Sequence, residues 1–213
     1  MKVTVDIPAI ALQELVAPTL SEQRITLHNI SWQQYETLLT TLSPSPSLRL
    51  SYNQGLLEIM GTSAQHEIIK TLIGRLLETY ALVEDLDFYS YGSTTFRSEA
   101  AARGLEADES YCIGQRREVP DLAIEVVITS GGINKLDIYQ GLEIPEVWFW
   151  QNDSFTLYQL IDSATGYREI ESSQLLPNLE LNLLCQFIDP DREPQMVRAY
   201  HQALQNQRRT GEI

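Results

Sequence analysis

Residues 118–150, EVPDLAIEVVITSGGINKLDIYQGLEIPEVWFW, decide the reading of this chain. The run from Asp121 to Ile128 is dominated by strand formers and has the length of one buried strand. With a side-chain period of two, Asp121, Ala123, Glu125 and Val127 share one face, and Leu122, Ile124 and Val126 share the other. Two acids on one face of an apolar strand are costly to bury unless they are paired, hydrogen-bonded or holding a cation. Thr129-Ser130-Gly131-Gly132 then forms a tight strand-to-helix connection with no dinucleotide or P-loop pattern. The helix that follows is apolar at Ile133, Leu136, Tyr139 and Leu142 and carries Lys135 in its first turn. An ammonium there opposes the helix dipole, so helix stability is not what places it.

Working outward, Pro145 ends this helix, and EVWFW with Phe155–Leu160 reads as two strands around Gln151-Asn152-Asp153-Ser154. Trp148 and Trp150 read as packing or interface residues, and PQMVRAYHQALQNQRR as a terminal helix with a basic end, suited to docking or dimer contact. Towards the N-terminus, Ala107–Ile113 and Asp87–Arg97 are expected strands joined by a loop, SEAARGLEA; Glu106, Asp108 and Glu109 cluster at the start of the later strand. A helix over about Ala64–Leu82 carries Ile69, Leu72, Ile73, Leu76 and Tyr80 on one face, and His66 falls on that face. Leu48–Gly61 predicts a hairpin around Asn53-Gln54-Gly55, and Ser31 caps a helix that begins at Trp32 and ends at SPSPS. The expected organisation is an N-terminal arm over 1–30, one domain over 31–190 and a C-terminal helix over 191–213.

The 213 residues carry 29 acids against 15 bases, a formal charge of -14, which argues against a broadly basic nucleic-acid surface. A carboxylate metal centre adds to that count while its cation offsets it locally, so a nuclease-like site stays compatible with it. Any nucleic-acid groove then needs local Arg and Lys. No apolar run reaches the length of a membrane span and the first residues lack signal-peptide regions, so a cytoplasmic protein without membrane contact is expected. Cys112 and Cys185 have neither zinc-ligand spacing nor a disulfide framework.

Metal-assisted phosphodiester hydrolysis needs hard oxygen ligands and an ammonium near the scissile phosphate. Asp108, Glu125 and Lys135 are residue types that supply those parts. Blander readings stand beside them: Asp121 bonding the start of its strand or a neighbouring basic residue, His66 bonding a backbone carbonyl, Lys135 in solvent, Asp108 an exposed strand-end acid.

Taken together, RLSYNQGLLEIMGTSAQHE, GLEADESYCI, VPDLAIEVVITSGGINKLDIY and IPEVWFW resemble the Uma-two family of restriction endonucleases in the PD-(D/E)XK nuclease superfamily, over about Ser31–Leu184. The resemblance implies an α/β (α+β) restriction-endonuclease-like core with a mixed sheet flanked by helices, a Mg2+ or Mn2+ site, and cleavage of DNA. Carried over residue by residue, it implies Asp108 and Glu125 as metal ligands, Lys135 as the third catalytic residue, and support from His66 and Asp121; Tyr139, four residues after Lys135, is read as a supporting core residue with its hydroxyl at the rim. Three departures stand out: Val127 where the superfamily's lysine stands two residues after the second acid, Ala107 in place of proline before Asp108, and a shorter loop at Ile128–Gly132. A homodimer, and a catalytically inactive nuclease-fold module that binds protein or nucleic acid, are the further possibilities these features raise.

Overall fold

The computed structural model describes residues 22–42, 47–129 and 131–211. Most of the expected arm, residues 1–21, lies outside the described residues, as do most of SPSPS and Ser130. In chain order the elements are β1 (Gln23–Leu27), α1 (Trp32–Leu42), β2 (Leu48–Asn53), β3 (Leu56–Gly61), α2 (Ala64–Val83), β4 (Phe88–Ser90), β5 (Thr95–Ser98), β6 (Arg103–Glu106), β7 (Glu109–Ile113), β8 (Leu122–Val126), α3 (Lys135–Gly141), β9 (Glu146–Gln151), β10 (Ser154–Asp162), β11 (Gly166–Ile170), α4 (Leu181–Cys185) and α5 (Glu193–Thr210). The fold is α+β, with two sheets among the described residues. The chain groups into two compact units: one from the residues up to Ala64, Thr95–Glu106 and Ile128–Leu142, the other from Gln65–Thr94, Ala107–Val127 and Glu143 onward.

The first unit holds a five-stranded antiparallel sheet in the order β1-β3-β2-β6-β5. The β2–β3 hairpin forms where the sequence places it, because Gln54 (φ 47°) and Gly55 (φ 93°) give the two positive φ angles that a tight two-residue turn requires. Residues 23–27, read as part of an arm, are a strand: β1 pairs with β3 from Gln23↔Gly61 to Leu27↔Leu57. The loop SEAARGLEA is also corrected, since its second half is β6, paired on both sides with β2 and β5. Gly104 makes that strand possible. A Cβ there would lie 2.3 Å from the hydroxyl of Tyr35, which is fully buried and stacked on Tyr52 with centroids 4.8 Å apart.

The second unit holds a six-stranded sheet in the order β11-β10-β9-β8-β7-β4. Its neighbours are antiparallel except β8 and β9, whose parallel register runs from Leu122↔Glu146 to Val126↔Trp150. A parallel pair needs a crossover, and residues 127–145, with α3 inside them, provide it. All of β8 is buried, which accounts for its apolar composition and makes Glu125 within it conspicuous. The expected single strand over Asp87–Arg97 is two strands in different sheets, β4 and β5. Gly92 at φ 56° and the Thr94 hydroxyl bonded back to the Tyr91 carbonyl (2.6 Å) turn the chain between them. α5 buries Met196, Tyr200 and Leu204, and the Arg208 guanidinium donates to the Val83 carbonyl at the end of α2, so this helix spends an apolar face inside its own unit.

Candidate functional site

The six-stranded unit brings His66 and Asp108 together and sets Asp108 on the backbone next to Glu125. His66 opens α2 and is fully buried, three residues before the apolar face that begins at Ile69. Asp108 stands at a bend one residue before β7 and is also fully buried. Its Oδ2 accepts from the Val126 amide at 2.8 Å and lies 3.1 Å from His66 Nε2, which is therefore the protonated nitrogen when Asp108 is ionised. The carboxylate takes the place of a strand partner just where β7 begins. The amide it holds belongs to the peptide joining Glu125 to Val126, and Glu125 is itself fully buried. Asp108 is thus bonded to the backbone one residue beyond buried Glu125, and to His66.

A polar chain the sequence reading passes over continues from Asp108. Its carbonyl accepts from the Ser93 hydroxyl (3.1 Å), which accepts from Lys70 Nζ (3.1 Å), and that ammonium pairs with Glu67 at 2.7 Å. Lys70 lies four residues after His66. That helical spacing on one face was the available signal for it. Glu109 carries the adjoining charge. Burial pushes its carboxyl up to about 7; Lys70 and the Tyr111 hydroxyl, 3.4 Å away, oppose the rise, while Glu78 and Asp108 add to it.

Asp121 serves a different place. It precedes β8, four residues or about 13 Å of strand from Glu125. Its Oδ2 accepts from the Ile113 amide at 2.8 Å, and its Oδ1 from the Arg117 guanidinium. This is the bland reading, a carboxylate bracing the start of its strand and a neighbouring basic residue.

Lys135 and Tyr139 belong to the five-stranded unit. Lys135 is the first residue of α3, where Asn134 caps the helix by accepting from Leu136 N (3.1 Å) and Asp137 supplies the acid the dipole favours. Tyr139 is fully buried, and α3 packs on β2 and β6. The turn before α3 is held by two acids. Glu58 Oε2 accepts from the Ile133 amide (3.1 Å), so close that a Cβ on Gly132, at φ 105°, would come within 2.4 Å of it. Glu22 Oε2 accepts from the Thr129 hydroxyl (2.5 Å), and Arg24 donates to the Thr129 carbonyl (3.1 Å). Gly132 is there because the backbone turns over the Glu58 carboxylate, and Gly131 for its positive φ of 100°.

The class is an α+β protein with a mixed sheet in which Asp108 and Glu125 are buried and Asp108 is bonded to His66. The chain belongs to the Uma2 family, described as putative restriction endonuclease, whose model matches residues 32–188. That span takes in His66, Asp108, Asp121, Glu125, Lys135 and Tyr139. No curated protein matches the chain. Among the described residues, no helix is long and apolar enough to cross a membrane.

Proposed function

We propose that the protein is a Mg2+- or Mn2+-dependent endonuclease that hydrolyses phosphodiester bonds in DNA, with Asp108 and Glu125 as metal ligands and Lys135 as the ammonium that stabilises charge on the phosphate. The family's description supports nuclease chemistry. The observation that carries the reading is the Asp108 carboxylate fixed on the Glu125–Val126 peptide, with both acids buried. A buried carboxylate is expensive unless donors, a cation or a proton compensate it. The donor set fits a hard divalent ion: Mg2+ is held by one or two carboxylates and completes its shell with water and phosphate oxygens. Among the described residues, no group of three or more His, Cys, Asp and Glu residues is placed to hold a metal ion, so the reading rests on two carboxylates.

When bound, the metal supplies Lewis-acid polarisation of the phosphate and an activated water. The protein's own share is orientation. His66 donates from Nε2 to Asp108 Oδ2, and the Val126 amide donates to the same oxygen, so the carboxylate's plane is set before any ligand arrives. Burial excludes bulk water from both acids and strengthens every charge interaction they make. Val127, which bonds the Trp150 carbonyl through its amide, has no charge to offer, and Lys135 is the residue this reading assigns to that task.

The test is cleavage of supercoiled and linear DNA by the purified protein with Mg2+ or Mn2+. Wild type is expected to nick or cut, and Glu125→Gln to lose roughly a hundredfold or more. Equal inertness of both over varied substrates, with no heat of Mg2+ or Mn2+ binding by calorimetry, would assign the chain instead to the inactive nuclease-fold modules.

A further inference from the structure

We propose that Arg116, held between Tyr89 and Tyr91, is a clamp for the phosphodiester backbone of DNA on the open edge of the six-stranded sheet. The proposal rests on the nuclease reading and adds a substrate-positioning surface to it.

Among the described residues β4 is the last strand of that sheet and pairs only with β7, through Phe88↔Ile113, Tyr89↔Cys112 and Ser90↔Tyr111. Arg116 rises from the loop between β7 and β8, and its guanidinium carbon lies over the Tyr89 ring at 5.4 Å and the Tyr91 ring at 5.2 Å. Stacking of this kind holds the planar fork in one orientation while its N–H edge stays available. Arg116 is exposed, and among the described residues it makes no ion pair. An exposed arginine can close on a nearby carboxylate. Its neighbour Arg117 has done so, on Asp121.

The loop that presents Arg116 is tied down on both sides. The Tyr91 hydroxyl donates to the Arg117 carbonyl (2.6 Å), the Arg117 amide donates to Cys112 Sγ (3.4 Å), and the Gly114 amide donates to the Asp87 carbonyl (2.7 Å). Asp121 completes the frame from the start of β8, which gives that acid a role as a positioning residue. A cation fixed in advance loses little conformational entropy on binding. Planar, bidentate presentation of N–H donors matches a phosphate better than it matches an apolar or cationic partner.

The patch is also linked to Asp108 through the chain and its hydrogen bonds. From Tyr91, whose amide bonds the Ser110 carbonyl, the chain reaches Ser93, whose hydroxyl bonds the Asp108 carbonyl. Cys112, the register partner of Tyr89, is four residues from Asp108, about 13 Å of strand. A DNA strand advancing 3.4 Å per nucleotide covers that distance in roughly four nucleotides.

The experiment is fluorescence anisotropy with a labelled DNA duplex and the full chain in EDTA, over a series of salt concentrations. Arg116→Gln is expected to weaken binding about five- to tenfold and to lower the slope of log affinity against log salt by about one, with an unchanged thermal midpoint. Arg116→Lys should fall between the two, and Arg198→Gln, exposed on α5, should bind as wild type does. If Arg116→Gln binds DNA with the wild-type affinity and slope, the clamp is overturned and the nuclease reading stands. Wild type that binds no DNA at all overturns both. Equal displacement of the duplex by poly-glutamate at matched charge would make the site a general anion contact and overturn the assignment to a phosphodiester backbone.

Discussion

Asp108 Oδ2 satisfies two donors at once, His66 Nε2 and the Val126 amide, so the carboxylate holds α2 and β8 in place whatever else it does. Asp108→Ala leaves both donors buried without it, and an unmet buried donor costs about 1–3 kcal/mol. Urea denaturation should therefore show a loss of roughly 2–5 kcal/mol for Asp108→Ala and a smaller one for Asp108→Asn, which keeps a carbonyl acceptor. An identical midpoint for all three proteins would dismiss the clasp. Glu109 makes a second prediction. Its carboxyl rises from 4.5 to about 7 on folding, so the folded state keeps a proton that the unfolded state gives up first. The resulting stability is fully present below about 4.5 and is lost as pH climbs to about 7. Across that window stability should fall by at most about 3 kcal/mol, trimmed by the water that reaches this half-buried side chain. Glu109→Gln should flatten the profile, and a wild type with no slope there would contradict it. The inward turn of His66 was legible from helical spacing, and so was the burial of Glu125. The partner of Asp108 was not, because a backbone amide carries no residue-type signal.

Among the elements, those with local signals were legible: the hairpin around Gln54-Gly55, the helices α1 and α2, and the buried strand β8. β6 was not. ARGLE has little strand propensity and a glycine in the middle; it becomes a strand because β2 and β5 flank it and because Gly104 leaves room for the Tyr35 ring. Long-range packing overrides local preference there. Gly104→Ala should accordingly destabilise the protein by about 1–3 kcal/mol through overpacking. The same change should cost less in a Tyr35→Ala background, as a double-mutant cycle would show; additive losses would break the link between ring and strand. The split of Asp87–Arg97 was missed although Gly92-Ser93-Thr94-Thr95 is a polar, glycine-led run of the kind that turns a chain, because the Tyr, Phe and Thr on either side read as one strand.

For the whole molecule, a formal charge of -14 sets the terms of any encounter with DNA. Repulsion from the remaining surface and attraction at a few fixed cations both weaken with salt, so their sum changes slowly. Affinity for DNA should fall less than about tenfold between 50 and 200 mM NaCl. A steep loss of a thousandfold or more would require many phosphate contacts and a different basic face. The order in which the units are threaded has its own consequence. The chain passes from one to the other after Ala64, after Thr94, after Glu106, after Val127 and after Leu142, so each unit is sewn from separate lengths of the same thread. No contiguous fragment contains either unit whole without carrying pieces of the other. Shortening the gene to isolate one half would cut into the other, and during synthesis the first unit is not complete until Leu142 has left the ribosome, although its last strand, β6, ends at Glu106.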